Sequence, residues 1–254
     1  MRRRALAHCE TMPRFHVALP LQTGLELALP PGAARHVQVL RLQPDDAITL
    51  FDGGGCDWAA NVVRMGRSEV VVRIGEPVVV ERELPLAVTL ALGMPANERM
   101  DWLVEKATEL GAAAIEPLHC ERSVLRLSGE RAVKKRSHWQ AVATAAAEQC
   151  GRARVPVIAP VSSIAERLSA NGGDELRLLL SLGTAATPAL PHLQAAIQAR
   201  RPLRLLSGPE GGLSPQEDAA ARAAGWLPVT LGPRVLRAET APLALLATLA
   251  TLAG

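Results

Sequence analysis

The sequence predicts an α/β protein in two parts: a small all-β barrel, then a mostly parallel sheet with helices on both faces. Three observations predict it. From Arg14 to Ile74, short β-prone runs alternate with turn residues, and one helix-length segment interrupts them. From Leu86 onward, apolar runs of strand length alternate with runs of helix length, the order that builds βαβ units with right-handed crossovers. Between them, Glu76–Pro85 carries two prolines, a Val run and alternating charge, which reads as a linker. The expected division is a disordered extension over 1–12, a barrel over 13–75, the linker over 76–85 and the α/β domain over 86–254.

In the first part the expected strands are Arg14–Ala18, Ala47–Phe51, Trp58–Arg64 and Glu69–Ile74, with a helix over Ala33–Leu42 and a hairpin-type turn at Asp52-Gly53-Gly54-Gly55. In the second, Leu86–Leu92 reads as strand and Glu98–Leu110 as helix, with Asn97 as N-cap and Gly111 at the C-terminus. On that helix Leu103, Ala107 and Leu110 share a face. Strands follow at Ala113–Leu118, Val155–Ala159 and Glu175–Leu182, and helices at Ser137–Cys150 and Pro191–Arg200. Ser163, with Glu166 three residues on, makes a capping box for one more short helix.

The last helix, 241–253, is almost wholly apolar, with Leu243, Leu245, Leu246, Leu249 and Leu252 among Ala and Thr. A helix apolar all round is buried on more than one side. It lies either at the centre of its domain or against a second subunit. At about thirteen residues it is too short for a bilayer, which takes about 20.

Composition narrows the class. A chain of 254 residues with 48% hydrophobic and 21% charged residues is an ordered globular protein with ample core material. Six aromatic residues and no Tyr leave Leu, Val and Ala to fill the interior. Net charge is +3, too small by itself to imply nucleic acid. Cys9, Cys56, Cys120 and Cys150 are scattered without a C-x-x-C pair, which argues against a disulfide scaffold or a zinc site and suits a reducing cytoplasm. The His residues show no metal-ligand spacing. Met1-Arg2-Arg3-Arg4 is basic, but the apolar stretch after it is too short for a signal peptide.

Two loops carry the chemistry. The first, Ser207-Gly208-Pro209-Glu210-Gly211-Gly212-Leu213-Ser214-Pro215-Gln216-Glu217, follows the strand-like Arg201–Leu206 and ends in a capping box from Ser214 to Glu217, with Pro215 at the first helical position. Its glycines permit positive φ and let a ligand approach bare backbone. The second, Leu231-Gly232-Pro233-Arg234-Val235-Leu236-Arg237-Ala238-Glu239-Thr240, follows the apolar run Trp226–Leu231, and Thr240 is placed to cap the final helix. Both loops should leave the carboxyl ends of strands in one parallel sheet, where ligands collect. There is no G-x-G-x-x-G fingerprint and no Walker motif.

The pair GPEGGLSPQE and LGPRVLRAET resembles the RsmE family, 16S rRNA (uracil-N3)-methyltransferases of the SPOUT (trefoil-knotted) superfamily. Further family-like blocks occur in order at His36–Arg41, Leu50–Gly54, Lys106–Gly111, Glu121–Val124 and Glu148–Arg152, so the likeness spans about Pro13 to Leu252. It implies a PUA-like RNA-binding barrel, a trefoil knot in the last third of the chain, a homodimer, and S-adenosylmethionine as methyl donor. The cofactor would be held by three loops: Leu182 and Gly183; Leu206, Gly208, Glu210, Gly211 and Gly212; and Leu231, Gly232, Val235, Leu236 and Arg237. Leu206, Leu231 and Leu236 would flank its adenine. The resemblance starts near Met12, so residues 1–11 are either an extension or a misassigned start.

For methyl transfer N3 of uracil must lose its proton, leaving charge on the flanking carbonyl oxygens, and Arg237 is the expected stabiliser, its alternative role being a structural ion pair with Glu210 or Glu239. No base declares itself; Glu210 could serve or could order backbone amides. Where relatives continue Glu-Thr with Thr-Ala or Ala-Ala, this chain has Ala241-Pro242. From Cys120 to Val155, eight basic residues face three acidic ones, a local +5 that suits phosphate contact. The barrel's charges balance, so RNA binding there rests on the resemblance. The candidate RNA contacts are Arg14, His36, Arg41, Arg122, Arg126, Lys134, Lys135 and Arg152, and the partner would be 16S rRNA or the small ribosomal subunit. The competing class is a non-catalytic RNA-binding or ribosome-assembly protein of the same fold, which need not keep both loops intact.

Overall fold

The computed structural model describes residues 12–67, 69–96, 98–170 and 173–254. The expected extension (apart from Met12) and the expected N-cap Asn97 lie outside the described residues. The chain divides into two compact units, one running to Arg82 and including Gly151–Arg154, the other comprising Glu83–Cys150 and Val155–Gly254.

The first unit contains β1 (Arg14–His16), β2 (Glu26–Ala28), α1 (Pro31–Val39), β3 (Ala47–Phe51), β4 (Cys56–Met65) and β5 (Val70–Val79). They form a five-stranded sheet in the order β1-β3-β4-β5-β2, with β1 parallel to β3 and the other pairings antiparallel. Alternate residues point inward, so Ala60 and Val62 of β4 and Val70, Val72 and Ile74 of β5 join Phe15, Ile48 and Leu50 in one core, which Val37 of α1 closes. The β3–β4 turn is held by Asp52 Oδ1, which accepts the Gly54 N–H at 2.8 Å.

Two expectations change here. β5 runs on to Val79, so 77–79 pair with β4 instead of linking domains. Pro77 is tolerated because the ladder shifts register beside it, between Trp58 and Ala60. β2 was not expected: a three-residue edge strand reading Glu-Leu-Ala has little β propensity and takes its structure from β5.

The second unit contains β6 (Val88–Gly93), α2 (Glu98–Glu109), β7 (Ala114–His119), α3 (Gly129–Cys150), β8 (Val157–Ile158), β9 (Ser162–Ser163), α4 (Ile164–Ser169), β10 (Leu176–Leu180), β11 (Thr187–Pro188), α5 (Ala189–Ala199), β12 (Leu203–Ser207), α6 (Pro215–Ala223), β13 (Leu227–Thr230) and α7 (Thr240–Ala253). The sheet runs β11-β13-β10-β12-β6-β7-β8, with β9 also on β7, and its pairings are all parallel.

Successive strand residues feed opposite faces. Leu90, Leu92, Leu178 and Leu205 enter the large core with Met100, Leu103, Trp139, Leu193 and Leu246 of α2, α3, α5 and α7. Their neighbours Ala91, Leu179 and Leu206 face Ile164 of α4 and Ala221 of α6. Near-continuous apolar strands are what a parallel sheet covered on both sides requires. On β12, Arg204 pairs with Glu116 and Glu175. Burial opposes its charge, but those two carboxylates hold its pKa above the ordinary arginine value.

α3 begins at Gly129, eight residues before the expected start at Ser137. Its first two turns are charged and exposed, so no apolar period announces them, and Arg136 Nε anchors them by donating to the Ile158 carbonyl at 2.8 Å. α7 packs on α2 and α5 with Leu243, Leu245, Leu246 and Leu249 buried in its own unit, while Leu252 stays 39% exposed. Thr240 does not cap α7. It is the first helical residue, no side chain caps the helix, and the N–H groups of Thr240 and Ala241 both donate to the Arg237 carbonyl at 3.0 Å.

Candidate functional site

The two glycine-bearing loops leave the carboxyl ends of β12 and β13, and β10 lies between those strands in the sheet. β10 ends at Leu180, earlier than expected, which releases Ser181, Leu182 and Gly183 as a third loop. Three adjacent parallel strands thus deliver three turns side by side. They enclose a cavity of about 790 Å³ lined by residues 180–183, 207–215, 229–232 and 234–238, together with Arg99, Arg122, Asp218, Arg222 and Ala241. That volume suits a nucleoside-sized ligand.

Each turn is shaped locally. In the second, the Gly212 N–H donates to the Pro209 carbonyl at 2.8 Å, and Gly212 sits at φ +68°. A Cβ on Gly208 would meet Leu213 N at 2.8 Å, so that glycine is required by space. The turn enters α6 through the expected capping box: Ser214 Oγ accepts from Glu217 N, and Glu217 Oε2 accepts from Ser214 N at 2.8 Å. In the third, Thr230 Oγ1 donates to the Gly232 carbonyl at 3.1 Å. In the first, Ser181 Oγ accepts from Gly183 N at 3.1 Å and from Arg222, which also pairs with Asp218 at 2.6 Å. Leu182 and Val235 are 67% and 79% exposed, two apolar side chains held at the cavity.

A model described as an RNA methyltransferase domain matches residues 82–250, and one described as an RNA methyltransferase PUA domain matches 29–75. The chain is 36% identical over 212 residues to ribosomal RNA small subunit methyltransferase E of Synechocystis sp., covering 83% of this chain and 67% of that one. It is 32% identical to the Bacillus subtilis protein of the same name, covering 82% of each. The chain belongs to the ribosomal RNA small subunit methyltransferase E family. A solved structure of the family member from Neisseria gonorrhoeae, bound to S-adenosyl methionine, superposes with a TM-score of 0.86 at 35% identity, covering 95% of this chain and 98% of that one.

In this family member the residues expected at the cofactor, Leu206 excepted, line this same cavity: Leu182, Gly183, Gly208, Glu210, Gly211, Gly212, Leu231, Gly232, Val235, Leu236 and Arg237. Leu206 is fully buried against Ala91, Leu118 and Trp226, because its place on β12 points it into the sheet. Arg237 is exposed in the cavity, with no salt bridge to Glu210, Glu239 or any other carboxylate among the described residues. Glu210 Oε1 is engaged, accepting the Ala96 N–H at 2.8 Å and facing Arg99 Nη1 at 3.4 Å. It orders backbone, as one of the two expectations for it had it.

The candidate RNA contacts separate into two groups. Arg14 and Arg152 are internal to the first unit. Arg14 donates to Asp57 at 2.5 Å and to the Arg152 carbonyl at 3.3 Å and lies 4.7 Å from the Phe51 ring centroid, while Arg152 is only 4% exposed. Their basic character serves packing, and neither offers a free guanidinium to phosphate. His36, Arg41, Arg126 and Lys134 are exposed, and Lys135 is half-buried, 3.9 Å from Asp101. Arg122 does something sequence did not suggest: its Nη1 donates to the Gly211 carbonyl at 3.0 Å, bracing the second turn from the β7–α3 loop.

Arg99 was missed altogether. The signal available was its place in the first turn of α2 beside Glu98 and Asp101, where the helix dipole disfavours a cation. Cys120, by contrast, is buried, and that burial, with Glu217 adding to it, pushes its thiol up to about 12.

Proposed function

We propose that this chain transfers a methyl group from S-adenosylmethionine to N3 of a uridine in 16S rRNA. The observation that carries it is the convergence of three turns from adjacent parallel strands on one cavity with apolar walls, bare backbone and a free Arg237 guanidinium. The residues suit the cofactor. Leu182, Leu231, Val235 and Leu236 supply walls for a flat base, and the absence of a Cβ at Gly208 lets the second turn fold back tightly on its own Gly212–Leu213 backbone beside them. When bound, the sulfonium supplies an activated methyl.

The chain's own residues align and stabilise. In-line displacement needs the accepting nitrogen, the methyl and the sulfur on one axis, and turns fixed by capping and by Arg122 hold that axis. N3 first gives up its proton to solvent, and Arg237 stabilises the negative charge that this puts on the flanking carbonyl oxygens; that charge is neutralised as the N–C bond forms and the S–C bond breaks. The first unit would position the RNA, with His36 and Arg41 on its surface, and Arg126, Lys134 and Lys135 would add phosphate contacts. The family likeness further supports a homodimer, threading of the last third of the chain into a trefoil knot, the assembled small subunit as partner, and a cytoplasmic enzyme. Among the described residues no helix is long and apolar enough to cross a membrane.

The test is to map methylated uridines in 16S rRNA from a deletion strain complemented with the wild-type chain or with Arg237→Ala. Wild type should restore one N3-methyluridine, and Arg237→Ala should bind S-adenosylmethionine but restore none. Methylation at another atom, or full methylation by the variant, rejects the assignment. No methylation by either favours the non-catalytic RNA-binding reading.

A further inference from the structure

The second and third turns are not joined to each other by any hydrogen bond among the described residues; both are tied to the start of α2. Arg99 makes the tie. Its Nη1 lies 3.4 Å from Glu210 Oε1 on the second turn, and its Nε lies 3.9 Å from Glu239 Oε1 on the third. Glu210 is pinned further by the Ala96 N–H, immediately before α2.

Glu239 is only 8% exposed, and its Oε2 has no hydrogen-bond partner. A carboxylate so placed is costly unless a cation compensates it. Arg99, itself 44% exposed on its side chain and lining the cavity, is the cation that faces it. A flat, forked guanidinium can address two carboxylates at once, which an ammonium cannot do with the same geometry. A cation in the first turn of α2 works against the helix dipole, so its position answers to something other than helix stability.

We propose that Arg99 is a positioning residue that sets the spacing of the second and third turns, and thereby the width of the cofactor slot. This rests on the cavity being the S-adenosylmethionine site. Without Arg99, Glu239 is left buried and unpaired and relieves itself by moving outward, carrying Ala238 and the start of α7 with it, while Glu210 loses its second anchor.

The test is titration of the full-length protein with S-adenosylmethionine by calorimetry, alongside steady-state methylation and thermal melting, for wild type, Arg99→Gln, Arg99→Lys and the double variant Arg99→Gln with Glu239→Gln. Arg99→Gln should weaken cofactor binding at least tenfold. The loss should fall on the cofactor KM rather than on kcat, and the RNA KM should stay within twofold. Arg99→Lys should lie between. The double variant should bind at least threefold more tightly than Arg99→Gln alone, because the uncompensated charge is gone. Equal affinity for wild type and Arg99→Gln overturns the proposal, as does a loss shared equally by RNA KM and melting temperature and not relieved by Glu239→Gln. If Arg99→Gln does not fold, Arg99→Lys with unchanged affinity overturns it equally. A wild-type chain that takes up no S-adenosylmethionine overturns the cofactor reading beneath it.

Discussion

Gly93→Ala should damage the cofactor site from a position with no chemistry of its own. Gly93 is the last residue of β6, buried and paired with Leu118 of β7. A Cβ there would stand 2.5 Å from both Cδ and N of Pro209 and 2.9 Å from Gly208 C. Favourable carbon contacts begin near 3.5 Å, so roughly 1 Å of separation must open between the strand end and the second turn. Neither side yields easily: one is a ladder-bonded strand, the other a proline backbone. Overpacking of this kind costs about 1–3 kcal/mol. A displacement of about 1 Å at an aligned site can cost on the order of 10²-fold in rate. Calorimetry with S-adenosylmethionine and turnover on 16S rRNA are the assays, with Gly32→Ala as control, since a Cβ at Gly32 meets nothing within 4 Å. Wild-type affinity and turnover in Gly93→Ala would refute the claim that strand and turn are in contact.

Three further outcomes are expected. Arg14→Ala should destabilise the first unit by about 1.5–3 kcal/mol, the worth of charged hydrogen bonds, without flattening the salt dependence of RNA binding; thermal melts and filter binding report the two, and the opposite pattern would restore Arg14 as an RNA contact. Replacing exposed Arg131 and Lys134 with Ala should lower the slope of log affinity against log salt by about 0.7 per lost contact to single-stranded RNA. An unchanged slope would mean that α3 does not touch phosphate. The Cys120 thiol, raised from 9.0 to about 12, favours its neutral form in the folded state. Its contribution to stability is therefore present below the ordinary thiol value and lost as pH rises towards 12. At pH 8 the native protein should resist alkylation at Cys120, read by peptide mass spectrometry, and rapid native labelling there would contradict the assigned burial.

Much of this fold was legible because its signals are local. Ser163 with Glu166 and Ser214 with Glu217 announced two helix starts, and both capping boxes form. Apolar runs such as Leu176–Leu180 and Leu203–Leu206 announced strands buried on both faces. The glycine-bearing turns marked the stretches that converge, and eleven of the twelve residues expected at the cofactor line one cavity. The twelfth, Leu206, shows the limit: a motif marks a stretch of chain, while the two-residue period of the strand decides which side chain faces in.

What sequence determined here is which segments turn, which extend and which coil, since caps, glycines and apolar periods act within a few residues. It did not determine that β10 lies between β12 and β13, that Arg99 reaches Glu210 and Glu239, or that Arg14 and Arg152 are interior. Those pairings join residues far apart in the chain, such as Arg14 and Arg152 or Arg99 and Glu239, and no local pattern encodes them. They are chosen by packing, where a charge that looks free in the sequence finds its partner only after the sheet has assembled.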